Sequence, residues 1–150
     1  MKKILLIEDD QNKIMEIESF LNQIKSELAP FTLEVKKSYQ SGLQAVLKSN
    51  FDLLLLDMSM HNFEKSLHET GGEFMKFAGE DILKELQWNE ITTKAVVVTQ
   101  YDLIGDKTLT ELKNYWKQEF SENYIETVFY SASESKWKNE LLSLLKKYIS

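Results

Sequence analysis

The sequence predicts an open, doubly wound α/β domain in which five strands alternate with five helices. Two observations indicate this fold. Residues 2–7 form a short apolar run, and residues 51–56 and 95–98 are nearly continuous apolar runs. Runs without a polar face are typical of central parallel strands that helices cover on both sides. The intervening segments have helical periodicity, and strands that alternate with helices pair in parallel through right-handed crossovers.

The first half of the chain contains two predicted helices around a second strand. The first helix has apolar side chains at intervals of three and four residues, at Ile14, Ile17, Leu21, Ile24 and Leu28. Pro30 marks its end. Residues 31–35 alternate apolar and polar side chains, which predicts a half-buried strand. A short second helix is indicated by Leu43, Val46 and Leu47.

The second half contains three further helices and the last strand. The third helix is marked by Ile82, Leu83 and Leu86. Thr108 and Glu111 have the spacing of a capping box and open the fourth helix. Residues 125–130 predict the last strand. The closing helix has an apolar face formed by Trp137, Leu141, Leu144 and Tyr148.

Composition excludes several classes of function. The chain has 150 residues, a net charge of −6, 18 lysines with no arginine, and no cysteine. This charge balance does not favour direct nucleic-acid binding, which needs a basic face. The lack of cysteine excludes disulfides, thiolate metal sites and cysteine nucleophiles. No apolar run approaches the length of a membrane span, and the run after Met1 is too short for a signal peptide, so we expect a cytoplasmic protein without membrane contact.

Acidic residues follow the predicted strands at the point where each strand ends. Glu8 and Asp9 follow the first strand, Asp57 follows the third, and Thr99 ends the fourth. In an open α/β sheet these carboxyl ends meet at one edge, where ligands bind. Crowded carboxylates repel one another, and an oxygen-only ligand set favours a hard cation such as Mg²⁺. A carboxylate can also act as a nucleophile toward phosphorus, and Asp57 is the candidate for that role.

Other polar and aromatic residues have simpler structural explanations. Asp10 is expected to open the first helix, where the helix dipole favours a negative charge. His61 and His68 lie in a long predicted loop, and we interpret them as loop histidines without a metal role. Trp116 and Trp137 have the spacing of core residues on helices.

Three segments together resemble the receiver domain of bacterial two-component response regulators. They are residues 3–10, with the sequence KILLIEDD, residues 53–57, LLLLD, and residues 96–99, VVVT. The resemblance covers nearly the whole chain in the correct order. It implies a flavodoxin-like receiver fold with a five-stranded parallel sheet in the order 2-1-3-4-5, and one receiver domain over residues 1–150 with no effector domain.

The resemblance also implies roles for individual residues. Glu8 and Asp9 match the acidic pair that binds Mg²⁺, and Asp57 matches the phospho-acceptor, which is also a metal ligand. Ser59 matches the position whose backbone carbonyl binds the metal. Thr99 matches the switch hydroxyl that binds the phosphoryl group. The implied partners are a histidine kinase or phosphotransfer protein and an output protein that the sequence does not identify.

Three features depart from the receiver pattern. The lysine that receivers carry at the end of the last strand is missing from residues 129–132, FYSA, so we expect the site to lack that positive charge. Lys136 and Lys138 lie on the next helix and are not expected to replace it. An insertion covers about residues 59–78, before Gly79, which fills the place of the glycine that opens the third helix. Gln100 and Tyr101 follow Thr99, where receivers prefer a small residue.

The leading interpretation is a single-domain response regulator that accepts a phosphoryl group on Asp57 and acts through protein contacts. It would not be an enzyme beyond self-phosphotransfer and autodephosphorylation at Asp57. One alternative is a pseudo-receiver, with the same fold but a phosphorylation-independent role as an interaction module. The other is a Mg²⁺-dependent phosphohydrolase, but residues 57–59, DMS, lack the Asp-x-Asp pair that such enzymes usually need.

Overall fold

The predicted strands form one parallel sheet in the predicted order. The computed structural model describes residues 1–64 and 72–149. In chain order the elements are β1 (Lys2–Ile7), α1 (Gln11–Gln23), a 3₁₀ turn (Lys25–Glu27), β2 (Phe31–Lys36), α2 (Tyr39–Lys48), β3 (Leu53–Leu56), β4 (Met60–His61), β5 (Phe74–Met75), α3 (Ala78–Trp88), β6 (Lys94–Thr99), β7 (Leu103–Ile104), β8 (Lys107–Thr108), α4 (Leu109–Glu119), β9 (Tyr124–Phe129) and α5 (Lys136–Tyr148).

The central sheet has the strand order β2-β1-β3-β6-β9, and every neighbouring pair is parallel. This is the order 2-1-3-4-5 of the five predicted strands, so the predicted fold class is confirmed. The register pairs Ile7 with Leu56 and Leu56 with Val97. The carboxyl ends of β1, β3 and β6 therefore reach the same edge of the sheet.

Two hydrophobic layers cover the sheet, because successive strand residues point to opposite faces. Leu5 and Ile7 pack with the layer that contains α2, α3 and α4, whereas Ile4 and Leu6 pack with α1 and α5. All four strand residues are completely buried. This two-sided burial explains why the central strands have no polar face.

Local sequence determines several helix boundaries as predicted. The carboxylate of Asp10 caps α1 by accepting hydrogen bonds from the backbone N–H groups of Asn12 and Lys13. The hydroxyl of Thr108 caps α4 by accepting from the backbone N–H of Glu111 at 3.2 Å. Trp116 and Trp137 are buried core residues, as their spacing predicted.

Two short antiparallel ribbons lie outside the predicted pattern. The pair β4–β5 lies within the insertion, and the pair β7–β8 lies between β6 and α4. His68 and the centre of the insertion lie outside the described residues. None of the helices within the described ranges is long and apolar enough to cross a membrane.

Candidate functional site

A backbone hydrogen bond joins the ends of β1 and β3 at the point where the acidic residues begin. The N–H of Asp57 donates to the carbonyl of Ile7 at 3.1 Å, so Asp57 is fixed beside the end of β1. The N–H of Glu8 donates to the carbonyl of Lys36 at the end of β2. These bonds extend the sheet by one residue at its carboxyl edge.

The structure brings the three predicted acidic residues together. One carboxylate oxygen from each of Glu8, Asp9 and Asp57 lies within 4.8 Å of the others. Glu8 and Asp57 are buried, whereas the side chain of Asp9 keeps 25% of its surface exposed. Two members of the cluster, Glu8 and Asp57, are therefore buried, and Asp9 faces solvent.

Lys13 supplies the positive charge that the sequence analysis expected to be missing. Its Nζ lies 2.6 Å from Glu8 Oε1 and 3.3 Å from Asp57 Oδ1, and its side chain is only 1% exposed. The expectation of a site without an ammonium group was wrong, because Lys13 on α1 supplies one in place of a residue after the last strand. The sequence signal was weak: Lys13 is the only basic residue of α1, but a lysine is ordinarily expected on a solvated face.

The same ammonium group is held by the end of β6. Nζ of Lys13 donates to the carbonyl of Val98 at 2.7 Å and to Oε1 of Gln100 at 3.0 Å. Gln100 is thus a partner of the buried lysine. This bulky residue, which departs from the receiver pattern after Thr99, therefore contacts the buried ammonium group of the site.

In each of the three ionisable groups, burial and the neighbouring opposite charge shift the pKa in opposite directions. Burial raises the pKa of Glu8 to about 8, and the Asp57 charge adds to the rise while Lys13 opposes it. Burial also raises the pKa of Asp57, against the opposing effect of Lys13. For Lys13, burial disfavours the charged form, but the two carboxylates outweigh it and hold the pKa above its usual value.

Two buried carboxyl groups thus share one ammonium group, so a pair with both groups ionised has a negative charge without compensation. Such a pair can bind a proton or a cation to remove the excess charge. Carboxylate oxygens that lie this close together are suitable ligands for Mg²⁺, which uses one or two carboxylates and keeps several waters. The donor set therefore fits a hard divalent cation.

His61 has a structural role at the site that the sequence analysis missed. Its backbone N–H donates to Asp9 Oδ2 at 3.1 Å, and its ring Nδ1 lies 3.2 Å from the same oxygen. The interpretation of His61 as a plain loop residue was wrong, because it belongs to β4 and fixes the orientation of Asp9. The sequence offers no signal for this contact, because the two residues belong to different segments of the chain.

Ser59 and Thr99 lie at the same edge as the acidic cluster. Ser59 is almost fully buried, and its hydroxyl donates to the carbonyl of Lys76 at 2.7 Å. Thr99 is completely buried at the end of β6, and its hydroxyl oxygen accepts from the backbone N–H of Tyr101 at 3.3 Å. Their predicted roles toward a metal and a phosphoryl group stay predictions.

The start of α3 lies directly against the end of β3. The N–H of Gly79 donates to the Met58 carbonyl at 2.9 Å, and a Cβ at Gly79 would collide with the carbonyl oxygen of Asp57. Only a glycine permits this approach. The backbone after Asp57 is therefore held between the sheet and α3.

The two lysines after β9 do not reach the site. Lys136 is 82% exposed and lies 3.9 Å from Glu140, and Nζ of Lys138 lies over the ring of Trp137. This agrees with the expectation that neither replaces the strand-end lysine.

The chain matches no family model. It is 26% identical over 144 residues to the uncharacterized protein y4jR of Sinorhizobium fredii (strain NBRC 101917 / NGR234), a match that covers 93% of each chain. It is 27% identical over 111 residues to the Detocs response regulatory protein DtcB of Enterobacter cloacae (strain JD6301), which covers 70% of this chain and 74% of that protein.

Solved structures of receiver domains have the same fold. A CheY-like response regulator receiver domain from Methanospirillum hungatei JF-1 superposes with a TM-score of 0.62 at 16% identity, over 98% of this chain and 92% of that one. The response regulator TrrA of Thermotoga maritima, in complex with Mg²⁺ and beryllofluoride, superposes with a TM-score of 0.53 at 18% identity, over 97% and 100% of the two chains. The predicted receiver fold is confirmed, and a response regulatory protein is among the relatives of the chain.

Proposed function

We propose that this chain is a response-regulator receiver domain of a two-component system or phosphorelay. It accepts a phosphoryl group on Asp57 with Mg²⁺ bound and signals through protein contacts. The observation that carries the proposal is the meeting of Glu8, Asp9 and Asp57 within 4.8 Å at the carboxyl edge of a receiver fold. The similarity to a response regulatory protein supports the same function.

The proposed metal ligands are carboxylate oxygens of Glu8, Asp9 and Asp57, together with the backbone carbonyl of Ser59. Mg²⁺, when bound there, would supply positive charge against the oxygens of an incoming phosphoryl group. Burial raises the pKa of both carboxyl groups, so the ionised pair is costly beside a single ammonium group, and a divalent cation would stabilise its ionised form. The TrrA structure, which holds Mg²⁺ with beryllofluoride on the same fold, supports this assignment.

The transfer itself requires little covalent chemistry from the protein. The Asp57 carboxylate attacks the phosphorus of a phosphohistidine on a histidine kinase or phosphotransfer protein. The phosphorus–nitrogen bond breaks, and the imidazole keeps the electron pair and takes up a proton. Asp57 Oδ1 accepts the N–H of Met58 at 2.9 Å, so the carboxylate has a fixed orientation at the end of a rigid strand.

The test uses beryllofluoride as a phosphoryl mimic in the presence of Mg²⁺. Trp137 lies against Tyr130, whose ring is 5.5 Å from Nζ of Lys13, so tryptophan fluorescence should report a change at the site. We expect a saturable fluorescence change that requires both Mg²⁺ and Asp57. Asp57→Asn should abolish it.

Asp52→Asn is the matched control for Asp57→Asn. Asp52 precedes the same strand at the opposite edge of the sheet, where its carboxylate accepts from the backbone N–H of Lys3. The Asp52→Asn variant should show the same fluorescence change as the wild type. If the wild-type protein shows no response that depends on Mg²⁺, or if Asp57→Asn keeps it, phosphoryl acceptance at Asp57 is refuted.

A pseudo-receiver is the second candidate function, and one observation favours it. The Asp57 side chain is only 2% exposed, and its Oδ1 lies 3.3 Å from Nζ of Lys13. This contact gives the Asp57 carboxylate a structural role in the fold that does not depend on phosphorylation. Under this alternative, the protein binds its partner with the same affinity whether residue 57 is Asp or Asn.

A further inference from the structure

Lys13 reaches the site from α1, whereas the receiver pattern places a lysine at the end of the last strand. Its Nζ contacts residues at the carboxyl ends of three different strands: Glu8 directly after β1, Asp57 directly after β3, and Val98 near the end of β6. The side chain is 1% exposed, so the charge is held entirely by these contacts. A buried ammonium group is stable only when it is paired and hydrogen-bonded, so these contacts are needed to keep Lys13 in the site.

The contacts of the ammonium group differ in length. An ammonium group has three N–H donors, and here four oxygen acceptors surround it. Three of the distances lie between 2.6 and 3.0 Å, and the distance to Asp57 Oδ1 is the longest at 3.3 Å. The group is thus anchored by Glu8, Val98 and Gln100, and its weakest contact points at the phospho-acceptor. A phosphoryl oxygen beside Asp57 could take that contact without loss of the three anchors.

The other lysines near this edge are less suitable. Lys136 and Lys138 point away from the site, as described above. Lys37 is exposed and lines a cleft of about 210 Å³ beside Asp9. Within the part of the chain that the structure describes, Lys13 is the lysine whose Nζ lies within 4 Å of Asp57.

We infer that Lys13 is the phosphoryl-binding cation of this protein and replaces, from α1, the lysine that is missing after β9. The inference rests on the proposed phosphorylation of Asp57. A phosphoryl group carries about 1.5 to 2 negative charges at neutral pH, more than the single charge of the ionised Asp57 carboxylate. The Lys13 ammonium compensates part of that charge, while Glu8, Val98 and Gln100 hold it in position.

The experiment separates binding of the mimic from binding of the metal. Lys13→Met keeps the length of the side chain and removes its charge, and Lys136→Met makes the same change at an exposed position. Affinity for Mg²⁺ alone is measured by calorimetry. Affinity for beryllofluoride at saturating Mg²⁺ is measured by ¹⁹F NMR of the bound mimic.

We expect Lys13→Met to bind Mg²⁺ at least as tightly as the wild type, because a competing cation is gone. Its affinity for beryllofluoride should fall at least tenfold, whereas Lys136→Met should match the wild type in both measurements. If Lys13→Met binds the mimic as tightly as the wild type, the role of Lys13 is refuted and phosphorylation of Asp57 stands. If the wild type does not bind the mimic at all, both proposals fall together.

A second measurement avoids the risk that Lys13→Met does not fold. The ammonium resonances of the wild-type protein are followed by ¹⁵N NMR after labelling of the lysines, and the Lys13 signal is assigned by its loss in Lys13→Arg. Addition of beryllofluoride to the Mg²⁺-saturated protein should shift the Lys13 signal in step with ¹⁹F-detected binding. A Lys13 signal that stays in place while the mimic binds would overturn the inference.

Discussion

Asp9 Oδ2 accepts two hydrogen bonds from one residue, His61: the backbone N–H at 3.1 Å and the ring Nδ1 at 3.2 Å. Both bonds end on the same carboxylate oxygen, and Oδ1 takes part in neither. The ribbon β4–β5 therefore fixes the one member of the acidic cluster that faces solvent. Hydrogen bonds of this kind orient metal ligands and are costly to remove.

We expect His61→Ala to weaken Mg²⁺ binding about three- to tenfold, below the effect usual for such partners because the backbone bond remains. The cause is the rotational freedom that the Asp9 carboxylate gains when the ring is lost. The measurement is calorimetric titration with Mg²⁺. Asparagine places an amide donor near the position of Nδ1, so His61→Asn should keep most of the affinity. Equal affinities in His61→Ala and the wild type would show that the ring does not orient a metal ligand.

The raised pKa of Glu8 predicts how stability depends on pH in the metal-free protein. The carboxyl has its usual value of 4.5 in the unfolded chain and about 8 in the folded one, so the folded state binds more protons between these values. Stability must then fall as pH rises from about 4.5 to 8, by at most about 1.4 kcal/mol per pH unit for one proton. Urea unfolding in the presence of EDTA measures this slope.

Glu8→Gln is the control for the pH dependence. It removes the titrating group and should flatten the slope in that pH range. Added Mg²⁺ should also reduce the loss of stability at the upper end, because the cation takes over the charge compensation. A metal-free wild type that gains stability from pH 5 to 8 would contradict the assignment.

The fold was predictable because its determinants are local. Two-sided burial leaves β3 and residues 95–98 of β6 entirely apolar, and the apolar spacing on α1 and α5 is that of helices. Strand boundaries differ from the predicted ones by one or two residues, as for β9, which begins at Tyr124. The ribbons β4–β5 and β7–β8 were not predicted, because a strand of two residues has no periodicity to detect.

The site was predictable only where a strand end determines position. Glu8 and Asp57 follow strands, so the topology alone brings them together. Lys13 reaches the same place through a long side chain on α1, and a lysine on a helix ordinarily indicates an exposed face. His61 meets Asp9 through a ribbon that lies within the insertion and pairs residues 13 to 15 positions apart. Such long-range contacts leave no periodic pattern in the sequence.

Gly79→Ala should destabilise the protein by about 2 kcal/mol or more, in the range of overpacked cores. The added Cβ would collide with the backbone carbonyl oxygen of Asp57, which is fixed by the sheet. Gly42→Ala is the comparison, because its Cβ would meet only side-chain carbons of Ile7. We expect a smaller loss there, since a side chain can shift. Urea unfolding measures both, and a Gly79→Ala variant as stable as the wild type would contradict this packing of α3 on β3.

Thr108→Ala should cost about 1 kcal/mol of stability, the usual effect of losing an N-cap hydroxyl. The hydroxyl accepts the N–H of Glu111 at 3.2 Å and also lies 3.1 Å from the Glu111 carboxylate. Thr110→Ala, two residues further into α4, is the matched control: Thr110 is exposed, and alanine is the better helix former. It should leave stability unchanged or raise it slightly. If the two variants unfold at the same urea concentration, the Thr108 hydroxyl does not stabilise the start of α4.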